Sequence, residues 1–506
     1  MKISPKQGSP EELAEFSRLQ MQMENIFRRI SDDTLASQAV VVIPSLSMLP
    51  GELEKISGVR HYEERMLVNL MLLRQPRTKL IYVTSHALNP VVIDYYLSML
   101  SGVPRSHATA RLVLLDCSDT RPIPLSQKIL ERPRLVERIR NELADYAGTT
   151  HMACYNSSEW ERTLAVQLGT PLHSVDPALN YLGTKSGCRD TFIEAGITHP
   201  FGFEHLHSQE EIVNALAAIK RRDPDAKRAV VKLNDGFSGE GNAIFRYQDL
   251  LVDENLEAGI VSQLSELECE SPTETPWSFF AKFSEMGGIV EAFVEGDEKV
   301  SPSCQCRVNV IGEPMVISTH DQVLGGRSGQ VFLGCTFPAD DTYRMEIQEA
   351  GLRVATALAK KGVIGRFSVD FVSVKEAGKW VHYAIEVNLR KGGTTHPFLT
   401  LKFLTGGKYN VEDGCFYSPS GQAKYYYATD NLKEEWYKGL LPEDVVDIAV
   451  YNKLHFHGQS ESGVLFHLLG AVSEYGKLGM TAIGDSPTQA KELYEYALQV
   501  LDEETK

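Results

Sequence analysis

Three short stretches concentrate the residues able to do phosphate and metal chemistry. In the first, Ala229-VVKLNDGFSGEGNAIF, an apolar run leads into Lys232 and a loop containing Gly236, Gly239 and Gly241. Glycines let backbone N–H groups approach a phosphate closely, and a lysine at a strand end supplies a point charge to the same oxygens. The G-K-[ST] of a Walker loop is absent, so a phosphate cover and a plain glycine-rich hairpin both remain open here. In the second, Gly365-RFSVDFVSV and Trp380-VHYAIEVNLR read as two alternating strands around the turn Lys375-EAGK. Alternation puts Val381, Tyr383, Ile385 and Val387 on one face and His382, Ala384, Glu386 and Asn388 on the other. A hairpin centred near residue 378 sets Asp370 opposite Glu386, so two carboxylates and an amide oxygen converge. Hard oxygen donors of this kind suit Mg2+, which is usually shared with substrate phosphates. The solvent side of an antiparallel sheet explains either acid alone, but accounts less well for Arg390 and the run Lys391-GGTTHP beyond it. The third stretch, Gly288-IVEAFVEGDEKV, is a strand carrying Glu291, Ala292, Phe293 and Val294, with Glu298 seven positions after Glu291. Backbone at such a strand end can pair with an adenine edge, a ring can stack on Phe293, and a carboxylate can accept from ribose hydroxyls.

The elements that must position these residues belong to a chain of 506 residues, 43% hydrophobic and 23% charged. At roughly 150 residues per domain that is about three domains, enough for a large core without disulfides. Lys and Arg number 51 against 67 Asp and Glu, a net charge of -16, which argues against nucleic acid or an anionic membrane as partner. No window approaches the ~18 apolar residues of a membrane span, and the N-terminus lacks a signal-like apolar region, so a cytoplasmic protein is expected. Eight cysteines without a C-x-x-C pair fit a reduced compartment, with Cys304 and Cys306 read as buried thiols on one strand face. Ser9-Pro10-Glu11-Glu12 opens a helix expected to reach about Arg29. The runs Ala39 to Ile43, Lys79 to Thr84 and Arg111 to Asp116 alternate with helical stretches, which predicts a parallel, Rossmann-like α/β domain over the first ~175 residues. No G-x-G-x-x-G follows these strands, so a dinucleotide site there lacks support.

In order and spacing, the three stretches resemble the ATP-grasp superfamily, whose members clamp ATP between two α+β subdomains. The likeness runs from about Tyr181 to Thr405. It implies that Lys185, with Gly196 eleven positions on, is the first phosphate lysine. Lys232 and the loop Ser238, Gly239, Glu240 and Gly241 would be the second lysine and the phosphate cover. Glu291, Ala292, Phe293 and Val294 would form the adenine hinge and Glu298 would take the ribose. ATP and two Mg2+ ions are the implied cofactors, the metal held by Asp370, Glu386 and Asn388. The implied fold is an N-terminal Rossmann-like pre-ATP-grasp α/β domain over residues 1–175, followed by a two-subdomain α+β grasp over 176–285 and 286–405, with 406–506 completing or flanking it.

Within the superfamily, Ser301-PSCQCRVNVIGEP, Ser318-THDQVLGGRSGQVFLGCTFPA, Glu386-VNLRKGGTTHPF and Gly463-VLFHLLGAVSEYGKLGMTAIGDS resemble the pheganomycin-type peptide ligases. The resemblance implies ATP-dependent joining of an amino-acid-like carboxylate to the amine of an amino acid or peptide, through an acyl phosphate, with release of ADP and phosphate. These small molecules are the expected partners, with neither nucleic acid nor membrane, and a homodimer is an allowed assembly. Arg390 matches an E-x-N-x-R pattern and would stabilise the acyl phosphate and the oxyanion. Arg366 lies four positions before Asp370, where two is common in the superfamily, and Arg307 shares the polar side of its strand with Gln305 and Asn309; both are candidate catalytic contacts, with a surface salt bridge as the alternative for Arg307. A loop with His320, Asp321 and Arg327 reads either as a cover over the cleft or as a plain hairpin, and His396 and His467 read as bases for the amine or as structural residues. Competing functions are an ATP-grasp kinase, an ester-forming ligase with a hydroxyl acceptor, and an ATP-binding regulator without turnover.

Overall fold

A computed structural model describes residues 5–506 other than 34, 49, 237–240, 272 and 326–330. Its N-terminal part is built on a four-stranded parallel sheet in the order Leu112–Asp116, Thr78–Thr84, Gln38–Ile43, Thr150–Cys154. Every residue of Gln38–Ile43 is buried, as expected of a parallel strand covered on both faces. Ala39, Val41, Ile43, Ile81 and Val83 pack on helices Pro10–Gln20, Leu125–Leu130, Pro133–Leu143 and Glu159–Leu168. The opposite face, with Val40, Val42, Leu80 and Tyr82, enters a core shared with Tyr426, Phe466, Ile483 and Leu501 from the far end of the chain. Three of the strands appear where the apolar runs predict them; the fourth, Thr-His-Met-Ala-Cys, carries too few apolar residues to stand out. The first helix corrects the expectation of one continuous element to Arg29. It stops at Gln20 and a second helix, Met23–Asp32, follows. Buried Phe16, Leu19, Met23 and Ile26 keep helical spacing across the break, so the apolar pattern does not reveal it.

A second, antiparallel sheet runs Gly202–Leu206, Gly288–Ala292, Arg228–Leu233, Asn242–Arg246, Glu268–Cys269. Helices Gln209–Arg222 and Pro276–Met286 cover one side of it through Ile212, Leu216, Phe279 and Phe283.

The third sheet is antiparallel and, among the described residues, has eleven strands. Pro302–Val308 pairs on one side with Pro314–Gly325 and on the other with Gly365–Glu376, which pairs in turn with Lys379–Asn388. From Pro314–Gly325 the sheet continues through Val331–Phe337 to Ala423–Lys433, Lys477–Gly484 and Gly463–His467. The C-terminal strands are therefore part of the sheet that carries the acidic hairpin. Helices Lys185–Ala195 and Arg344–Lys360 cover its apolar face, where Cys304 and Cys306 lie fully buried with their sulfurs 3.7 Å apart. All eight thiols are free. Among the described residues no helix is long and apolar enough to cross a membrane.

The acidic hairpin has the expected register at its centre, Asp370 opposite Glu386. Its facial assignment needs correction, because the ladder shifts just beyond, pairing Phe371 with Ala384 and leaving Ile385 as an extra residue. This bulge carries Ala384 into the core beside Phe371 and Val387, and leaves Ile385 facing the cleft with Glu386. Strict alternation assumes one residue opposite one and cannot anticipate it.

Candidate active site

Between the second and third sheets lies a cleft of about 2150 Å3. Lys232, Gly236, Gly241, Glu291, Ala292, Phe293 and Val294 line it on the side of the second sheet, Asp370, Glu386, Asn388 and Arg390 on that of the third, and Lys185 from the helix packed on the third. Lys185 opens its helix, where the Thr184 hydroxyl accepts from the Gly187 N–H and Gly196 closes the far end in the left-handed conformation, φ 63°. Its ammonium is 2.6 Å from Glu386 Oε1. Burial alone would lower the Lys185 pKa, but Glu386 outweighs burial and raises it. Burial likewise would raise the Glu386 carboxyl; Lys185, with Arg390 and Lys232, instead holds it below its ordinary value.

Among the described residues no cation pairs with Asp370 as Lys185 does with Glu386, although Lys185 and Arg390 act on it from farther away. Asn388 Nδ2 donates to Asp370 Oδ2 at 2.9 Å. Burial first, and the charge of Glu386 second, push this carboxyl up to about 7. Two half-buried acids that repel each other, with the Asn388 amide oxygen beside them, form a hard-oxygen set that a divalent cation would relieve, so the residues fit Mg2+. Among the described residues no cluster of three His, Cys, Asp or Glu side chains offers a competing metal site.

On the opposite wall Lys232 is ion-paired with Glu291. Glu291 also lies 3.4 Å from Arg189 Nη1, so its carboxylate is held between two cations. Arg228 sits 3.7 Å above the Phe293 ring and Lys299 is 4.5 Å from it, and Ala292 to Val294 line the cleft beside them. Glu298 pairs with Lys375 at 3.0 Å and is not among the cleft-lining residues. Ser238, Gly239, Glu240 and Arg327 lie outside the described residues.

Arg390 follows the metal hairpin directly, its N–H donating to Asn388 O at 2.7 Å and its Nη1 to Lys391 O at 3.2 Å. Lys391 ties this segment to the parallel sheet, its ammonium donating to Cys154 O and its N–H to Tyr155 O at 3.3 Å. Burial, with Arg366 and Arg307 nearby, pushes Lys391 down to about 8.

Arg307 and Arg366 stand directly opposite each other on paired strands, but neither lines the cleft. Four residues of extended chain carry Arg366 about 13 Å from Asp370, which takes it out of reach of the metal end. The charge of Arg307 bears on His151 and His173 and that of Arg366 on His173, and burial with the neighbouring Arg307 pushes Arg366 down to about 9. His396 is also removed from the cleft. Its Nδ1 lies 2.8 Å from Arg65 O, its ring packs 4.1 Å from that of His467, and burial pushes it down to about 3, so it is a neutral core imidazole. His320 bonds Tyr426 Oη at 2.7 Å, and Asp321 accepts from Tyr343 Oη at 2.7 Å.

Several cleft residues carry no local sequence signal. Tyr62, Arg65 and Tyr155 come from the N-terminal part, and Asp430, Lys433 and Lys477 from the C-terminal strands. Only the tertiary packing of distant segments brings them together.

Comparisons with known proteins identify the family. A family model described as IQCH-like, ATP-grasp matches residues 177–263 and 252–412, and one described as PGM1 C-terminal domain matches 444–497. L-propargylglycine–L-glutamate ligase from Streptantibioticus cattleyicolor is 31% identical over 456 residues, covering 89% of this chain and 91% of that protein. IQ motif-containing protein H from Danio rerio is 22% identical over 428 residues, 74% of this chain and 40% of that one. Among solved structures, a biotin carboxylase–β,γ-ATP complex from Campylobacter jejuni superposes with a TM-score of 0.56 at 13% identity, over 92% of this chain and 91% of that one, a likeness of fold. With 31% identity to a ligase along almost its whole length, and with the two sheets closing on lysines and acids as described, the chain belongs to the ATP-grasp family of carboxylate–amine ligases.

Proposed function

We propose that the cleft uses MgATP to convert the carboxylate of an amino-acid-like donor into an acyl phosphate, which the amine of an amino acid or peptide then attacks to give an amide, ADP and phosphate. The observation that carries this reading is the convergence of two lysines and the acidic trio on one cleft: Lys185, paired with Glu386, and Lys232 with Asp370, Glu386 and Asn388. In this reading residues 176–285 and 286–405 are the two halves of the clamp.

A carboxylate is a poor acyl donor because its leaving group would be oxide, whereas phosphate departs readily. Backbone of Ala292 and Val294 takes the adenine edge, and Glu298 reaches the ribose once Lys375 releases it. Lys185 and Lys232 exchange their acidic partners for phosphate oxygens, and Glu386 is thereby freed. Asp370, Glu386 and Asn388 would hold Mg2+, two ions in our reading, which when bound draws charge from the transferring phosphoryl group. Arg390, a rigid fork beside the acids, steadies the acyl phosphate and then the oxyanion of the tetrahedral adduct. Positioning and charge neutralisation therefore dominate over covalent catalysis.

Because the Streptantibioticus relative is named for joining two amino acids, pairs of amino acids and short peptides are the first substrates to test. The chain is incubated with MgATP and such pairs while phosphate release and product mass are followed. ADP together with an amide is the expected result. ADP with a stable phosphorylated small molecule would make the protein a kinase, and AMP would rule out the acyl-phosphate scheme.

A further inference from the structure

The cleft does not end at Arg390. The segment after it folds back against the N-terminal part, with His396 Nδ1 2.8 Å from Arg65 O and Lys391 N–H 3.3 Å from Tyr155 O. There the cleft continues into a chamber walled by Tyr62, Arg65, Tyr155, Asp430, Lys433 and Lys477, none of which is among the residues assigned above to ATP or metal. At about 2150 Å3 the whole space exceeds a typical small-ligand pocket at least twofold, which leaves room beside a nucleotide for a second and third reactant.

The charge of this chamber is lopsided. Arg65, only 5% exposed, lies between the rings of Tyr62 and Tyr155 at 4.3 and 4.7 Å, a stack that fixes the plane of its guanidinium. Its Nη1 is 3.1 Å from Asp430 Oδ2, while its buried Nε has no partner among the described residues. Lys477, also 5% exposed, has its ammonium 2.7 Å from Tyr62 Oη and no ion pair among the described residues. Lys433 stands directly opposite Lys477 in the strand register. Like charges in that position repel, and buried cations with unused donors are destabilising unless an anion meets them.

We propose that this chamber is the subsite for the free carboxylate of the amine substrate, so that the acceptor is an amino acid or peptide held by Arg65 and Lys477 with its amine directed toward Arg390. The assignment to the acceptor rests on the ligase reading. A donor's reacting carboxylate is consumed at the phosphate end of the cleft, so a carboxylate held at the opposite end belongs to the molecule that brings the amine. Asp430 fixes the orientation of Arg65, and Tyr62 does the same for Lys477.

The test is equilibrium binding to the full chain loaded with Mg2+ and a nonhydrolysable ATP analogue. The probes carry one carboxylate each: L-amino acids with uncharged side chains and dialanine, each paired with its carboxamide. We expect at least one free acid to bind roughly tenfold or more tighter than its amide. In Lys477→Met and, separately, in Arg65→Lys, that preference should shrink to within about threefold while affinity for the nucleotide analogue, which reports folding, stays unchanged. A probe with one carboxylate bound as a donor would not depend on Lys477, so this dependence identifies the acceptor site. The proposal is overturned if no acid is preferred over its amide, or if the preference survives in both variants. Phosphate release from ATP, followed with the same compounds, tests the ligase reading separately. A preference for the acid without any phosphate release would remove that reading and leave the carboxylate subsite standing.

Discussion

Asp370 carries the conflict on which the site's chemistry depends. Its carboxyl, raised to about 7 by burial and by Glu386, holds its proton in the native state over a range where the unfolded chain has lost it. Stability therefore falls as pH rises from about 4 to about 7, and the whole penalty is present above that. Asp370→Asn keeps the shape and the acceptor for the Asn388 amide while removing the charge. We expect it to stabilise the nucleotide-free protein at pH 8 by on the order of 2 kcal/mol, and to make little difference near pH 4, as read by thermal unfolding at the two pH values. The same variant should lose phosphate release by at least about a hundredfold and should no longer gain stability from MgATP. A variant no more stable than wild type at pH 8 would mean that Asp370 and Glu386 do not oppose each other. Arg390 is argued from shape as well as charge. Arg390→Lys retains the charge and loses the planar fork, so kcat should fall by about a hundredfold while KM for ATP changes less than about threefold. Unaltered kcat would remove Arg390 from the reacting atoms.

At the scale of elements, what was legible follows from period and what was not follows from irregularity. The pairing of Asp370 with Glu386 could be read because a tight hairpin fixes register by counting from its turn. The bulge at Ile385 could not, because an extra residue in one strand leaves no trace in an alternating pattern, yet it is what turns Ala384 into the core and Ile385 into the cleft. Lys185 was singled out by the resemblance to the superfamily, through its spacing from Gly196, the left-handed residue that ends its helix. The close approach that seats the start of that helix was not legible. A Cβ at Gly187 would fall well inside contact distance of Tyr181 O and 2.9 Å from Leu182 Cα, and backbone atoms cannot swing aside as a side chain can. Gly187→Ala should therefore destabilise the fold by about 2 kcal/mol and shift Lys185 away from Glu386. Denaturant unfolding together with binding of a nonhydrolysable ATP analogue checks this, with affinity expected to drop at least about tenfold. Native affinity in a destabilised variant would show that the helix start does not set the position of Lys185.

For the whole molecule, division of the chain at residues 175 and 405 describes the order of the elements but conceals how they are joined. Apolar periodicity tells which face of an element is buried, not which distant segment buries it, so the shared core at the two ends of the chain left no sign in the sequence. Val40, Val42, Leu80 and Tyr82 of the parallel sheet pack in one cluster with Tyr426, Phe466, Ile483 and Leu501. The Phe466 N–H also donates to Tyr95 Oη at 3.1 Å, a hydrogen bond between the same two parts. This junction sets Tyr62 and Arg65 against Asp430 and Lys477, so its rigidity governs the far end of the cleft. Phe466 is 1% exposed at its centre, and Phe466→Ala should lower stability by about 3–5 kcal/mol. If the two ends fold as one cooperative unit, hydrogen exchange in this variant should accelerate together in Gly463–His467 and in Gln38–Ile43, although these strands belong to different sheets. Asn242–Arg246, whose strand packs in the separate core of the second sheet, should keep its native protection. Acceleration confined to the C-terminal strands would mean that the N-terminal sheet is stable alone, and that the chamber between Arg65 and Lys477 is held by contacts weaker than the shared core provides.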